Sequence, residues 1–373
     1  MSAVDSTYTP DYAVHPGEYL DEVLESRGIA KKEFAARCGL SAKTVSQIVN
    51  GKVSFSPDVA LQFERVLGVA AEIWLGMLSS SQLFHSRKED EKRLQKAREW
   101  TQQFPLSDMR KLGLIGSKTN WALKARQLLA FFNVSSPDSW EKIYREKAIA
   151  YRKSPTLEAS SYSVATWLRI AEIIAANREV KPYQEDRLKI VINRIRTLTN
   201  ETPEIFEPRL RAECAEAGIA LVFVPELQKT RISGATEWLT SDKAMIAMSL
   251  RHKTNDHFWF TLFHELGHIS LHGKKMVFID TESDEDTESE SEANDFARKT
   301  LVPTKEYQRF ISRAKFYASD ILGFSSQISI APGIVVGMLQ HDGLIQYSWH
   351  NRLKQKFELV PAAGTGENGN EST

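Results

Sequence analysis

Cysteine is scarce in this sequence of 373 residues, which contains only Cys38 and Cys214. The two fall in separate predicted domains, so we expect no disulfide between them and a reducing compartment, the cytoplasm. Each is then expected to be a small residue of a buried core. The class of small, disulfide-rich secreted proteins is therefore excluded.

Long apolar runs and an excess of one charge are also missing. No stretch approaches the roughly 18 apolar residues of a membrane span, and no amino-terminal segment resembles a cleaved signal. We therefore predict a cytoplasmic protein with no membrane partner. Lysine plus arginine and aspartate plus glutamate both number 48, so the net charge does not indicate nucleic acid, although an acidic run masks a more basic remainder.

The sequence does contain the motif His264-Glu-Leu-Gly-His268, which follows an apolar, aromatic run. A helix turns about 100° per residue, so residues four apart share a face and both imidazoles can bind one Zn²⁺. Glu265 then points toward the zinc-bound water and can move its proton to a leaving amine. The alternative is a helix that carries two histidines by chance, but the apolar context and the available third ligand favour a zinc site.

A catalytic zinc needs a third protein ligand, and the chain offers several. His272 lies one turn beyond His268, but one straight helix cannot place three successive histidines around a tetrahedral ion. We therefore expect His272 to lie in the second shell of the metal or simply at the end of the helix. The acidic run 280–292 has the composition of a solvated loop over most of its length.

The end of that run predicts a helix, because residues 290–303 place Ala293, Ala297 and Leu301 on one face. Glu290 falls on this apolar face, whereas Glu292 points toward solvent. A carboxylate on a buried face needs a partner, and the metal is the natural one. Asn294, one turn on, is expected to hold Glu290 or His264 from the second shell.

The HELGH motif, the later Glu-x-Glu-Ala-Asn-x-Phe-Ala and the Leu-Val-Pro that follows resemble the ImmA/IrrE metallo-endopeptidases. Further matches are residues 232–235, 244–250 and 332–345, so the resemblance covers about 201 to 357. It implies a zinc-dependent endopeptidase, an enzyme in which His264, His268 and a later glutamate bind zinc. The family pattern places that glutamate at Glu290.

A second unit lies near the amino terminus, where residues 31–48 have the spacing of a helix-turn-helix: Ala35, Gly39, Val45 and Ile48. Flanking helices that open at Pro16 and Pro57 would complete a compact helical domain. Any small helical bundle is the alternative, but the second helix of the motif presents polar residues outward, which favours DNA binding.

Residues 15–18, 49–52 and 71–75 together resemble Xre-type repressors of the HigA antitoxin group, over about 12 to 80. The resemblance implies a homodimer that binds a palindromic operator in double-stranded DNA and often represses its own operon. Ser41, Lys43, Thr44 and Gln47 would then contact bases or phosphates, and Lys52 the backbone.

The predicted architecture is multi-domain and mainly α, with a small α+β domain. We predict a helix-turn-helix domain at 12–80, a helical connector at 81–200, a zincin-like metallopeptidase domain with a small sheet at 201–360, and a disordered tail at 361–373. Two apolar stripes of the connector, one from Val164 to Ile174 and one from Leu188 to Leu198, are expected to pack as core. A dimer seam or a toxin-binding groove is the alternative for either stripe.

Within the metal domain, residues 219–224 and 244–250 are predicted strands. Residues 244–249 are our candidate edge for an extended substrate, with an ordinary core strand at least as well supported. The group that stabilises the oxyanion is left open among His257, His341, Tyr347 and His350.

Two functions follow from these features. In one, a DNA-binding regulator cleaves itself or a partner protein with its zinc domain. In the other, a HigA-like antitoxin and autorepressor neutralises a toxin, and its zinc domain is a sensor or scaffold without turnover. The intact Glu265 favours the first function, and the fused repressor favours the second.

Overall fold

The computed structural model describes residues 12–116, 120–145, 160–249, 254–273, 278–281, 288–313 and 315–357. These residues form two compact units. One runs to Arg98 and includes Trp121–Ala125; the other holds Glu99–Asn120 and the chain from Arg126 onward. The predicted tail and residues 282–287 of the acidic run lie outside the described residues. A compact unit can hold more than one domain, so the boundaries at 80, 200 and 360 stay predictions.

The first unit is a bundle of helices. They are α1 (Pro16–Ser26), α2 (Lys31–Cys38), α3 (Ala42–Val49), α4 (Pro57–Leu67) and α5 (Ala71–Lys96). Proline opens α1 and α4, because a helix start leaves its first N–H groups unpaired and proline lacks one. Gly39 and Gly68, with φ of 66° and 64°, end α2 and α4. The buried faces meet around Phe34, Phe63 and Trp74.

The helix-turn-helix consists of α2, the turn at Gly39 and α3, and α1 packs on its end. Gly17 of α1 lies so close to the carbonyl oxygens of Ile48 and Val49 that a Cβ atom would clash with both. His15 caps α1, since its Nδ1 accepts a hydrogen bond from the Gly17 N–H at 2.9 Å. The segment from His15 to Gly17 therefore fixes α3 against the bundle.

The second unit combines the helices after α5, apart from Arg98 and Trp121–Ala125, with one small sheet. The helices that follow α5 are α6 (Arg98–Gln102), α7 (Leu106–Lys111), α8 (Trp121–Phe132), α9 (Pro137–Trp140), α10 (Ser161–Ala176), α11 (Glu185–Thr197) and α12 (Pro203–Glu216). Then come β1 (Ile219–Val224), β2 (Ile232–Trp238), β3 (Ala244–Ser249), α13 (Asn255–Leu271), β4 (Phe278–Thr281), α14 (Glu288–Leu301), α15 (Thr304–Ile311), α16 (Ala318–Gln327) and α17 (Pro332–His341). The predicted class, mainly α with a small sheet, is confirmed.

Among the described residues, no single helix combines the length and the apolar character of a membrane span. Helices α16 and α17 reach that length and composition only as a pair, and the pair is bent by 115°.

The sheet has the strand order β1-β3-β2-β4. β1 and β3 run parallel, while β2 is antiparallel to both of its neighbours, β3 and β4. β3 is therefore paired on both sides, and the prediction that residues 244–249 form a free edge for substrate is wrong. The alternative, a core strand, is correct, because Ala244–Ser249 is buried throughout.

Helices cover both faces of the sheet. Side chains alternate between faces along a strand, so Ala220 and Val222 of β1 pack with the stripe of α10 around Trp167, while Leu221 and Phe223 pack on the opposite side. The stripe of α11 joins α12 and α13 on that second side. Both stripes are thus buried as core, and α13 is held directly against the sheet.

Candidate metal centre and nucleic-acid interface

Helix α13 carries the His264 to His268 motif inside the core of the second unit. His264 is 3% exposed, Glu265 0% and His268 1%. The apolar residues around the motif bury the helix on several sides, and the four-residue spacing turns both imidazoles the same way. Their Nε2 atoms lie 2.9 Å apart.

Helix α14 brings Glu290 to the two histidines. Its Oε2 lies 3.1 Å from His264 Nε2 and 3.4 Å from His268 Nε2, and the residue is 6% exposed. Glu292, two positions on, has a side chain that is 57% exposed and lies 3.5 Å from His272 Nε2. The two carboxylates of this helix thus lie in different environments, one buried beside both imidazoles and one exposed.

The geometry of this triad, His264, His268 and Glu290, matches the donor set of a catalytic zinc. Two imidazole nitrogens and one carboxylate oxygen lie within 4.8 Å of one another. Metal–ligand bonds of about 2.0–2.1 Å in a tetrahedron place neighbouring ligand atoms about 3.3 Å apart, close to the measured separations. The described residues therefore fit a zinc ion in chemistry and in spacing.

Burial and hydrogen bonds set the charge of these ligands. Burial lowers the pKa of His268 to about 4, although Glu290 opposes the shift. Burial raises the pKa of Glu290, but its interactions with the neighbouring imidazoles of His264 and His268 outweigh that effect and hold the pKa well below its ordinary range. Near pH 7 the site therefore offers a neutral imidazole and a carboxylate, the forms that bind a metal.

A second layer of residues orients His264. Its Nδ1 lies 2.9 Å from Asn294 Oδ1, and since that oxygen can only accept, the proton belongs on Nδ1 and the lone pair of Nε2 faces the triad. His272 lies where α13 has ended, with extended backbone angles, and its ring packs near His268 and Phe278. It stands beside the triad and outside it.

Strand β2 holds the carboxylate of Glu265. Thr236 Oγ1 donates to Glu265 Oε2 at 2.6 Å, and Thr236 is 1% exposed. Gly234 lies against Glu265 Oε1 so closely that a Cβ atom would collide with it. Sequence reasoning missed Thr236, and the only signal was the family match at residues 232–235, which stops one residue short of it.

The candidates for the oxyanion group lie near the start of α13, at the end of α17 and beyond α17. His257, His341 and Tyr347 line one pocket together with Phe260, whereas His350 lies next to the exposed ring of Trp349. These positions do not favour one of the four over the others, so the choice among them stays open.

The residues predicted to contact DNA lie on the outer side of α3 and just beyond it. Ser41, Lys43 and Lys52 are exposed, and Thr44 and Gln47 are half-buried. Ser41 also begins the helix, since its Oγ accepts from the Thr44 N–H at 3.0 Å. Four of these five side chains thus lie at the start of α3 or on its outer face: Ser41, Lys43, Thr44 and Gln47.

Two protein-family models match this chain, one within each compact unit. The family described as "Helix-turn-helix" matches residues 20–74, and the family described as "IrrE N-terminal-like domain" matches residues 214–321. Antitoxin HigA-1 of Vibrio cholerae is 37% identical over 75 residues, which are 20% of this chain and 70% of that protein. An uncharacterised HTH-type transcriptional regulator of Escherichia coli, YddM, is 27% identical over 73 residues, 20% of this chain and 78% of that one.

Solved structures include similar short proteins. An addiction module antidote protein of a HigA family from Coxiella burnetii shares 26% sequence identity, with a TM-score of 0.21, over 22% of this chain and 91% of that one.

Proposed function

This chain belongs to the HigA-like group of Xre-family helix-turn-helix regulators and carries an ImmA/IrrE-family domain, and from this premise we propose that it is a regulator with a working zinc endopeptidase. The domain would cut the regulator itself or a partner protein and so couple a signal to transcription. The single observation that carries the proposal is the buried Glu265, the residue after His264, whose carboxylate accepts a hydrogen bond from Thr236. Metal binding alone does not need this carboxylate.

In this proposal His264, His268 and Glu290 hold the metal. Zinc held there would supply Lewis-acid chemistry, which lowers the pKa of water to about 7 and polarises a carbonyl group. Asn294 keeps His264 in the tautomer that presents its Nε2 lone pair. Glu265 accepts the proton of the attacking water and passes it to the leaving amine, while the Thr236 hydroxyl keeps the carboxylate in one orientation.

The amino-terminal unit supplies the DNA-binding half of the function. We propose that α3 enters the major groove, where Gln47 and Thr44 face base edges and Lys43 and Ser41 face bases or phosphates. Lys52, beyond the helix, would contact the backbone. A homodimer on a palindromic operator follows from the HigA-like family and is part of the proposal.

A second candidate function is favoured by the similarity to antitoxin HigA-1. The chain would then neutralise a toxin and repress its own operon, and the zinc domain would be a sensor or scaffold without turnover. A small RNase-like toxin encoded by the neighbouring reading frame would support this second function.

The substitution Glu265→Gln separates the two functions. An amide cannot accept the proton of the water, so a peptidase should keep zinc and operator binding yet lose cleavage and derepression. The measurement follows chain length of the regulator and its operon partners, together with promoter output, in stressed cells that carry either form. Identical fragments and identical promoter output in both strains would eliminate the peptidase and leave the antitoxin.

A further inference from the structure

A pocket of about 260 Å³ lies along α13 on the amino-terminal side of the triad. Phe260, Ile334 and Met338 give it apolar walls, and Arg298, His341 and Lys354 contribute polar ones. We infer that this pocket takes one bulky apolar side chain, aromatic or large aliphatic, from a residue of the peptide substrate close to the cleaved bond. The inference rests on the proposed peptidase function and adds a substrate class to it.

Helices α13 and α14 each carry residues of both the pocket and the triad. Phe260 precedes His264 by one turn of α13, and the centroids of their rings lie 6.4 Å apart. Arg298 follows Asn294 by one turn of α14, on the face that also carries Glu290. One turn of a helix rises about 5.4 Å, which is less than the span of two extended residues of a bound peptide. A side chain near the cleaved bond can therefore reach the pocket.

The charges in the pocket wall favour a neutral occupant. Arg298 pairs with Asp342 at 2.9 Å. Lys354 pairs with Asp256 at 2.6 Å, and these two side chains are only 13% and 7% exposed. Each cation thus already has a carboxylate partner, so an acidic substrate side chain would have to compete for it. Asp256 lines the pocket beside Lys354, so a charged substrate side chain of either sign would meet a like charge as well as an opposite one, whereas an apolar side chain needs only the apolar walls.

The size and rigidity of the pocket suit a single side chain. Sites for drug-sized ligands span about 300–1,000 Å³, so this pocket is smaller than a typical small-molecule site. One wall, which includes Tyr347 and Lys354, is held to α17 by Gln340, a residue 1% exposed. The Gln340 Nε2 donates to the carbonyl oxygens of Tyr347 and Trp349 at 3.1 and 2.9 Å, and its Oε1 accepts from Lys354 Nζ at 2.7 Å. The wall is preformed because this buried amide ties it to α17.

The first measurement is cleavage of a random decapeptide mixture by the zinc-loaded full-length chain, read by mass spectrometry. We expect one position beside the cut to favour Phe, Leu or Met over Ala and Glu by about tenfold or more, since pockets discriminate apolar side chains to that extent. Met338→Trp fills the pocket and should shift the preference to small residues. His341→Trp alters an exposed wall residue, whose side chain is 76% exposed, and carries the test if Met338→Trp fails to fold.

The matched control is Leu322→Trp, which places the same ring at a site 46% exposed and outside the pocket wall. A second measurement does not need turnover: Glu265→Gln protein should bind N-acetyl-phenylalanine amide more tightly than N-acetyl-glutamate amide by nuclear magnetic resonance titration, and His341→Trp should weaken that binding.

The outcomes separate the pocket from the peptidase. Cleavage without a bulky apolar preference, or a preference that survives in a folded Met338→Trp and in His341→Trp, overturns the pocket and leaves the peptidase function standing. Absence of any peptide cleavage by zinc-loaded wild type overturns the peptidase function, and the substrate pocket with it.

Discussion

At the scale of single residues, Glu290 and Glu292 offer a direct test of the metal site. We expect Glu290→Ala to lose bound zinc, because its carboxylate meets both imidazoles at 3.1 and 3.4 Å. Glu292→Ala should keep zinc, since its side chain is 57% exposed and points to His272. Elemental analysis of the two purified variants decides between them. Loss of metal only in Glu292→Ala would show that the ligand assignment is wrong.

Thr236 provides a second prediction at this scale. Thr236→Val removes the hydroxyl that donates to Glu265 at 2.6 Å and leaves the shape of the side chain almost unchanged. Loss of a side chain that orients a residue at a metal site typically lowers activity by about 10–100-fold. We therefore expect the kcat of Thr236→Val to fall by that factor, with KM and zinc content unchanged. Thr236→Ser should restore most of the rate.

The matched control for this prediction is Thr240→Val at an exposed threonine just beyond the same strand, which should have no effect. Steady-state kinetics on one cleaved peptide measures all three variants. A Thr236→Ser variant as slow as Thr236→Val would assign the loss to packing and remove Thr236 from the positioning of Glu265.

At the scale of elements, the packing of α1 against α3 depends on Gly17. A methyl group there would clash with the carbonyl oxygens of Ile48 and Val49, so Gly17→Ala should destabilise the first unit by about 1–3 kcal/mol. Gly76→Ala, within α5 and with no atom within 4 Å of the added carbon, should instead stabilise it by about 0.5–1 kcal/mol. Urea unfolding followed by circular dichroism compares the two, and equal shifts would contradict the close approach.

Local sequence predicts both helices that form the metal site, because α14 has one apolar face and α13 carries the His264 to His268 motif. Residues that share one face of a helix follow from their spacing along the chain. The sequence alone therefore places Glu290 on the apolar face of α14 and Glu292 away from it. The His264 to His268 spacing and the Gly39 turn are predictable for the same reason.

Strand pairing and contacts across the sheet are beyond such reasoning. The sequence pattern does not predict β2, because Ile232–Trp238 lacks alternating apolar residues although its first five residues are buried. The residues of β3 alone leave open whether it is an edge strand or a core strand, since its neighbours, β1 and β2, are set by pairing between distant segments. The role of Thr236 depends on how β2 lies against α13, which no local pattern encodes.

At the scale of the whole molecule, the two units place the predicted DNA contacts and the predicted metal ligands in separate compact bodies. We therefore expect operator binding to survive removal of zinc by a chelator. A mobility shift on the protein's own promoter region, with and without chelator, measures this. Loss of binding on zinc removal would show that the metal domain controls the DNA-binding unit.

The same assay tests the recognition helix. Lys43→Ala and Gln47→Ala should each weaken operator binding, with a base contact worth about 1–3 kcal/mol. Lys88→Ala, a lysine on the exposed stretch of α5, is the control and should bind as wild type does. Equal binding by wild type and the Lys43, Gln47 double mutant would exclude α3 as the recognition helix.

The placement of Glu290 on a different helix from His264 and His268 has a consequence for folding. A bound ion would join residues 268 and 290 in the folded chain, whereas the unfolded chain does not hold the three ligands together, so the free energy of metal binding would add to that of folding. Stability gained in this way depends on the free concentration of the ion by mass action. The free zinc concentration would then set the fraction of chains in which α14 is folded against α13, as well as the fraction of chains that are active.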